Sequence, residues 1–87
     1  MVARESGQVI GFCQVLSDGE IQAYCALLLV APHRRQAGVG RALLLTALKT
    51  AGGERLDLLA EETALPFYRS LQHRDFPGFR IYPDPAP

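Results

Sequence analysis

Apolar positions along this chain change their period several times, and each change marks an element. Val9-Ile10-Gly11-Phe12-Cys13-Gln14-Val15-Leu16 is apolar and rich in β-formers, so it reads as a strand. Met1 to Arg4 reads as the end of an earlier strand, and Glu5-Ser6-Gly7-Gln8 as the turn that makes the two a hairpin. Ser17-Asp18-Gly19 is the next turn. Ile21 to Val30 reads as a longer strand. It opens with some alternation and closes on the unbroken run Ala26-Leu27-Leu28-Leu29-Val30, which predicts a strand covered on both faces near its C-terminal end. Ala31-Pro32 stops it.

From Val39 to Ala51 the period becomes helical. Val39, Leu43 and Ala47 share one face with Leu44 and Leu48 beside them, and Gly52-Gly53 ends the run. Arg55-Leu56-Asp57-Leu58-Leu59-Ala60 reads as a second buried strand. Ala64 to Leu71 reads as a short helix with Pro66 in its first turn. Phe76 to Tyr82 reads as a last strand interrupted by Pro77-Gly78, and Pro83 to Pro87 as a frayed tail. The order β-β-β-α-β-α-β describes an α+β fold with a mixed sheet: antiparallel hairpins, then a β-α-β crossover. No repeat or linker divides it, so residues 1–87 form a single domain.

Composition narrows the function classes. The chain has 87 residues, with 9 Lys+Arg balanced by 9 Asp+Glu. A domain this short buries roughly 60–65% of its unfolded surface, so its core is marginal. Nucleic-acid binding draws most of its affinity from basic excess, and none exists here. The run Ala26 to Pro32 is too short to span a bilayer, and the start Met1-Val2-Ala3-Arg4-Glu5 lacks the apolar stretch of a signal peptide. A cytoplasmic location is therefore expected. Cys13 and Cys25 lie in apolar strands and read as free buried thiols; a disulfide would require the two strands to be neighbours. His33 and His73 are isolated, without partners at ligand spacing, so no metal site is expected.

The chemistry sits between the Val30 strand and the Val39 helix. A phosphate-binding turn needs backbone amides aimed at one place with no side chain in the way. Gly38 and Gly40 supply that access, and the helix that follows adds unpaired N–H groups and a positive dipole end. Arg34, Arg35 and Arg41 surround the turn with charge. A P-loop would continue Gly-Lys-Ser/Thr, but Gly40 is followed by Arg41-Ala42. A dinucleotide turn would have a third glycine where Leu43 stands.

Arg35-Gln36-Ala37-Gly38-Val39-Gly40 instead resembles the Arg/Gln-x-x-Gly-x-Gly/Ala turn of the GNAT superfamily of N-acetyltransferases. Val30-Ala31-Pro32 is similar to the Val-x-Pro that ends the family's strand before this turn. Ala64-Leu65-Pro66-Phe67-Tyr68-Arg69-Ser70-Leu71 resembles the short helix that carries the family's tyrosine. The chain departs in having Gln36 where Gly is common and Gln72-His73 where Gly-Phe often follows. It resembles a short form without the family's usual N-terminal strand and two helices.

The resemblance implies acetyl-CoA as co-substrate and direct transfer of acetyl to an amine. It implies that Leu28, Leu29 and Val30 pair with the pantetheine arm, and that Arg35, Gln36, Ala37, Gly38, Val39, Gly40 and Arg41 hold the pyrophosphate. Tyr68 would protonate the leaving thiolate. Tyr24 stands where many members carry a glutamate base, with Glu20 and Gln22 on the same face by alternation; Glu61, Glu62 or a water relay are other routes. Plainer readings exist: Tyr68 as packing, the arginines as a solvated helix start, Glu61-Glu62 as acidic charge before a helix. The alternative function is a truncated GNAT-like module that binds CoA or a partner chain without turnover. Two helices can hardly cover both faces of a sheet of about five or six strands, so a homodimer or a docked partner is expected.

Overall fold

The computed structural model describes residues 1–84. Four strands form one sheet in the order β1-β2-β3-β4: β1 is Val2–Glu5, β2 Gln8–Ser17, β3 Gln22–Val30 and β4 Arg55–Asp57. β1, β2 and β3 run antiparallel, while β3 and β4 are parallel. The parallel pair is joined through helix α1, Val39–Ala51, and a shorter helix α2, Leu65–Arg69, follows β4. This is the mixed α+β sheet that the hydrophobic pattern implies. The β2–β3 turn is built by Asp18, whose carboxylate accepts the amides of Glu20 and Ile21, each at 2.8 Å, and of Gln22 at 3.2 Å. Those bonds hold its pKa below the usual carboxylate value.

Two bulges set which side chains face which way. Ala3 pairs Gly11 and Arg4 pairs Val9, so Ile10 is the extra residue on β2. Gln14 pairs Leu27 and Val15 pairs Cys25, so Ala26 is the extra residue on β3. Ala23 and Cys25 face α1 before the bulge, and Leu28 packs toward the same core after it. The run Ala26 to Val30 is therefore not covered on both faces, against the expectation from its apolarity. Leu29 is 56% exposed, and Leu27 is exposed as well.

The core is small. α1 lays Leu43, Leu44 and Ala47 on Cys13 and Cys25, with Leu56, Phe67 and Tyr68 around the cluster. Cys13 and Cys25 sit on neighbouring strands with Sγ atoms 4.0 Å apart, and both are free thiols. Burial and then the neighbouring Cys13 push the Cys25 thiol up to about 11.

Three elements differ from the pattern-based reading. The second buried strand, expected over Arg55 to Ala60, pairs only over Arg55–Asp57, because β3 and the continuing chain diverge beyond Tyr24 and Asp57. The second helix is shorter than Ala64 to Leu71, with a 3-10 turn over Glu62–Ala64 ahead of it. The last strand, expected over Phe76 to Tyr82, does not form: residues 70–84 hold no helix or strand, and Phe79 and Ile81 are 81% and 90% exposed. A strand needs a ladder partner, and none lies alongside that segment. The frayed tail expected from Pro83 onward falls outside the described residues from Pro85. The Cα radius of gyration is 14.0 Å, against about 12 Å for a compact domain of this length.

Candidate active site at the glycine turn and the strand fork

The turn begins where β3 ends. Pro32–Arg34 makes one 3-10 turn, and Arg35 returns its Nε to the Val30 carbonyl at 3.2 Å. Gln36 and Gly38 then take left-handed backbone conformations with φ of 60° and 84°. The second is natural for glycine; the first costs an L-residue roughly 1–2 kcal/mol. Backbone strain of this kind gathers at ligand turns.

Gly38 is the N-cap of α1, and no side chain caps the helix. The first-turn amides that a serine or aspartate would normally satisfy are thus free for an anion, at the positive end of a 13-residue helix. The space beside the Gly38 Cα is open within 4 Å. A phosphate can approach there without meeting a side chain.

Gly40 is assigned a packing role besides the one expected of it. A Cβ on Gly40 would stand 3.2 Å from Phe67 Cζ and 3.5 Å from Val30 Cγ2, so it is a packing glycine that seats α2 against α1. Arg34 is also re-assigned: it pairs with Glu5 at 2.9 Å and ties the turn to the β1–β2 hairpin. Arg35 and Arg41 remain as the cations of the turn. Ala37 and Val39 lie within it, and Leu28 and Val30 are half-buried at the end of β3.

β3 and β4 pair only over Gln22–Tyr24 with Arg55–Asp57. Gln22 locks the base of this fork: it donates to Asp57 Oδ2 at 2.9 Å and accepts from Arg55 Nε. From Cys25 onward the β3 edge facing β4 has no ladder partner. An extended ligand arm can add there as a strand would, starting from the turn and running toward the fork.

Tyr68 stands at the fork. α2 packs it against the cluster that contains Cys25, the first β3 residue beyond the ladder, and Phe67 braces it edge-to-face at 4.9 Å. Burial raises its pKa, with smaller contributions from Cys25 and Cys13, so the phenol keeps its proton beyond the ordinary tyrosine range. Among the described residues its hydroxyl makes no hydrogen bond. Tyr24 lies between the buried Ala23 and Cys25 and so points to the opposite, open face. The structure does not bring Tyr24 and Tyr68 together on one side of β3. Glu20 and Glu61 are exposed, in the β2–β3 turn and ahead of the 3-10 turn.

A concavity of about 400 Å³ lies elsewhere. It lies between α1 and β1, lined by Met1, Val2, Ala3, Leu43 and Thr46, and shares only the rim residues Ala37, Gly38 and Val39 with the turn. Sequence reasoning missed Phe67, which positions both Gly40 and Tyr68. Its signal was the apolar residue directly before Tyr68, facing a glycine that has no turn to make.

An uncapped helix start thus lies beside a fork of parallel strands, with a half-buried phenol at the fork. The acetyltransferase (GNAT) domain family matches residues 1–72, and the chain belongs to that family. A protein of Deinococcus radiodurans R1 assigned as an acetyltransferase is 34% identical, with a TM-score of 0.81 over 93% of this chain and 58% of its own. The chain thus spans somewhat more than half the length of that relative. A GNAT-family acetyltransferase of Streptococcus pneumoniae TIGR4 shares the fold at 24% identity, with a TM-score of 0.79 over 95% of this chain and 69% of its own. So does the aminoglycoside N-acetyltransferase AAC(6')-Iy, solved in complex with CoA, at 16% identity and a TM-score of 0.79 over 98% of this chain and 74% of its own. No curated protein matches the sequence significantly. Among the described residues no helix is long and apolar enough to cross a membrane.

Proposed function

We propose that this chain is an acetyl-CoA-dependent N-acetyltransferase that passes acetyl directly to an amine in the cytoplasm. The observation that carries the reading is the uncapped start of α1, with open space at Gly38, leading to the unpaired β3 edge and Tyr68. The amides of Gln36 to Arg41 and the guanidinium groups of Arg35 and Arg41 hold the pyrophosphate. The β3 edge over Leu28, Leu29 and Val30 aligns the arm by backbone pairing, and an amide there polarises the acyl oxygen. Acetyl-CoA supplies an activated acyl group and a thiol leaving group. Tyr68, kept protonated by burial, donates its proton as thiolate charge develops. Tyr24, on the opposite face of β3 from Tyr68, takes the amine's proton directly or through water.

The alternative is a GNAT module that binds CoA without turnover. The feature favouring it is the uncovered sheet face beside Tyr24, where an acceptor pocket would need a wall. Two measurements separate the readings. Calorimetric titration with CoA tests the turn, and release of thiol during incubation with acetyl-CoA and a panel of amines tests transfer. Binding with no thiol release across the panel selects the module; no binding removes both.

A further inference from the structure

The carboxylates around the fork are not alike. Asp18 is used up by its own turn, where its Oδ1 accepts the amides of Glu20 and Ile21. Glu20 lies in that turn and Glu61 just ahead of the 3-10 turn, so neither stands on a strand. Asp57 is a ladder residue. The register pairs it with Tyr24, in the last pair before β3 and β4 part. Its neighbours Leu56 and Leu58 pack toward the core, so Asp57 stands on the opposite face, the face of Gln22 and Tyr24. One strand spacing, about 4.8 Å, separates the two backbones there.

The Asp57 carboxylate is held in place but not neutralised. Gln22 Nε2 donates to its Oδ2 at 2.9 Å and to the Ala23 carbonyl at 2.8 Å, while Gln22 Oε1 accepts from Arg55 Nε. The amide of Gln22 therefore stands between the Arg55 guanidinium and the carboxylate. Among the described residues the ion pairs are Arg34 with Glu5 and His73 with Asp75, and none involves Asp57. Among the same residues its Oδ1 accepts no hydrogen bond. An ionised carboxylate has about four acceptor positions on its two oxygens, so most of this one is open.

We infer that Asp57 receives the acceptor: its free carboxylate oxygen holds the ammonium of an aliphatic primary amine beside Tyr24, at the mouth of the fork. The inference rests on the acetyltransferase reading above and names the substrate class of that site. An aliphatic amine arrives protonated at neutral pH, as a lysine side chain with a pKa near 10.4 does. A phenol offers such a cation one neutral oxygen. A carboxylate offers full charge and a charge-assisted hydrogen bond. Asp57 binds and orients the cation and takes no proton in this role, which leaves the proton's removal to Tyr24 and water. Aromatic amines, uncharged at neutral pH, gain nothing from Asp57, so the site selects against them. Gln22 is a positioning residue that fixes which oxygen of Asp57 is left for the ligand.

The test is a titration of the whole chain, with CoA present, by butylamine and by its uncharged counterpart butanol, followed by backbone amide chemical shifts. Butylamine is expected to move the amides of Tyr24, Asp57 and Leu58, and butanol to leave them in place. Asp57→Asn keeps an acceptor for Gln22 and loses the charge, and is expected to weaken butylamine binding on the order of 10-fold. Added salt should weaken binding to the native chain by screening and barely affect the variant. Gln22→Leu removes the brace and keeps the charge, so its binding should stay salt-dependent. In thiol-release assays the KM for butylamine should rise in Asp57→Asn on the same order, with kcat changed less. If Asp57→Asn does not fold, the contrast between butylamine and butanol on the native chain still decides. Equal binding to native and Asp57→Asn chains overturns the inference. So do equal shifts with butanol, shifts away from the fork, or no binding of butylamine to the native chain. The transferase reading fails separately: butylamine that moves these amides while no thiol is released leaves Asp57 as an amine site and removes the transfer.

Discussion

Gly11→Ala is the substitution whose effect the packing states most directly. Gly11 lies on β2 beneath α1. A Cβ there would stand 2.7 Å from Leu43 Cδ1, 3.1 Å from Val39 Cγ1 and 3.3 Å from the Leu29 carbonyl oxygen. Carbon atoms rest at about 3.5–4.0 Å, so the first contact is short by roughly 1 Å. Leu43 is buried at its base but lines the concavity beside α1, and the Leu29 carbonyl belongs to the sheet. Leu43 must turn toward that space, or α1 must lift. Overpacking of this order costs about 1–3 kcal/mol. In a domain this small, that lowers the melting temperature by roughly 5–20 °C. Leu43→Val alone should cost about 1 kcal/mol as a small cavity. The double variant should be more stable than Gly11→Ala by itself, because the shortened side chain makes room for the added methyl. Urea or thermal melts at one fixed protein concentration, followed by circular dichroism, give all three values. Since Val39 is the first residue of α1, a lifted helix should also weaken CoA binding measured by titration. An unchanged midpoint for Gly11→Ala, or a double variant worse than both singles added together, would refute the packing argument.

Gly38→Ala should lower CoA affinity or stability by roughly 1–2 kcal/mol through its left-handed backbone alone, since no neighbour lies within 4 Å of the added carbon. Gln36→Gly should shift stability the other way by up to about 1 kcal/mol; two melts and two titrations check the pair. Tyr68→Phe should reduce turnover on the order of 100-fold or more with CoA affinity nearly intact; an equal loss of binding, seen by titration, would assign Tyr68 to packing. The Cys25 thiol has its folded pKa raised from 9.0 to about 11, so its contribution to stability is full below pH 9 and is lost as pH rises toward 11. Equilibrium melts of native and Cys25→Ala chains across that window should converge at its upper end. A constant difference would show that burial does not hold the proton.

Much of the fold was legible in the residues. The strand read over Val9 to Leu16 forms as Gln8–Ser17, and the helix read over Val39 to Ala51 has those bounds. These elements are punctuated locally: Gly38 and Gly52 take left-handed conformations at the two ends of α1, and Asp18 closes its turn with its own carboxylate. The glycine turn was legible for the same reason, because its left-handed conformations belong to a few consecutive residues. Local sequence thus determined where the chain turns and where it coils.

Tertiary structure decided what depends on neighbours. The run Ala26 to Val30 looks doubly buried by composition, yet the bulge at Ala26 and the lack of a layer on one side leave Leu27 and Leu29 exposed. Phe76 to Tyr82 has strand-like residues but pairs with no edge of the sheet, and whether a ladder forms cannot be read from propensity. Gly40 and Gly38 look alike in the motif. Only the approach of Phe67 makes the first a packing glycine, while a positive φ makes the second a turn. Arg34 likewise reads as a phosphate cation until Glu5, on a distant part of the chain, claims it. Period and punctuation are written residue by residue; burial, pairing and charge partnership are written between residues that only folding brings together.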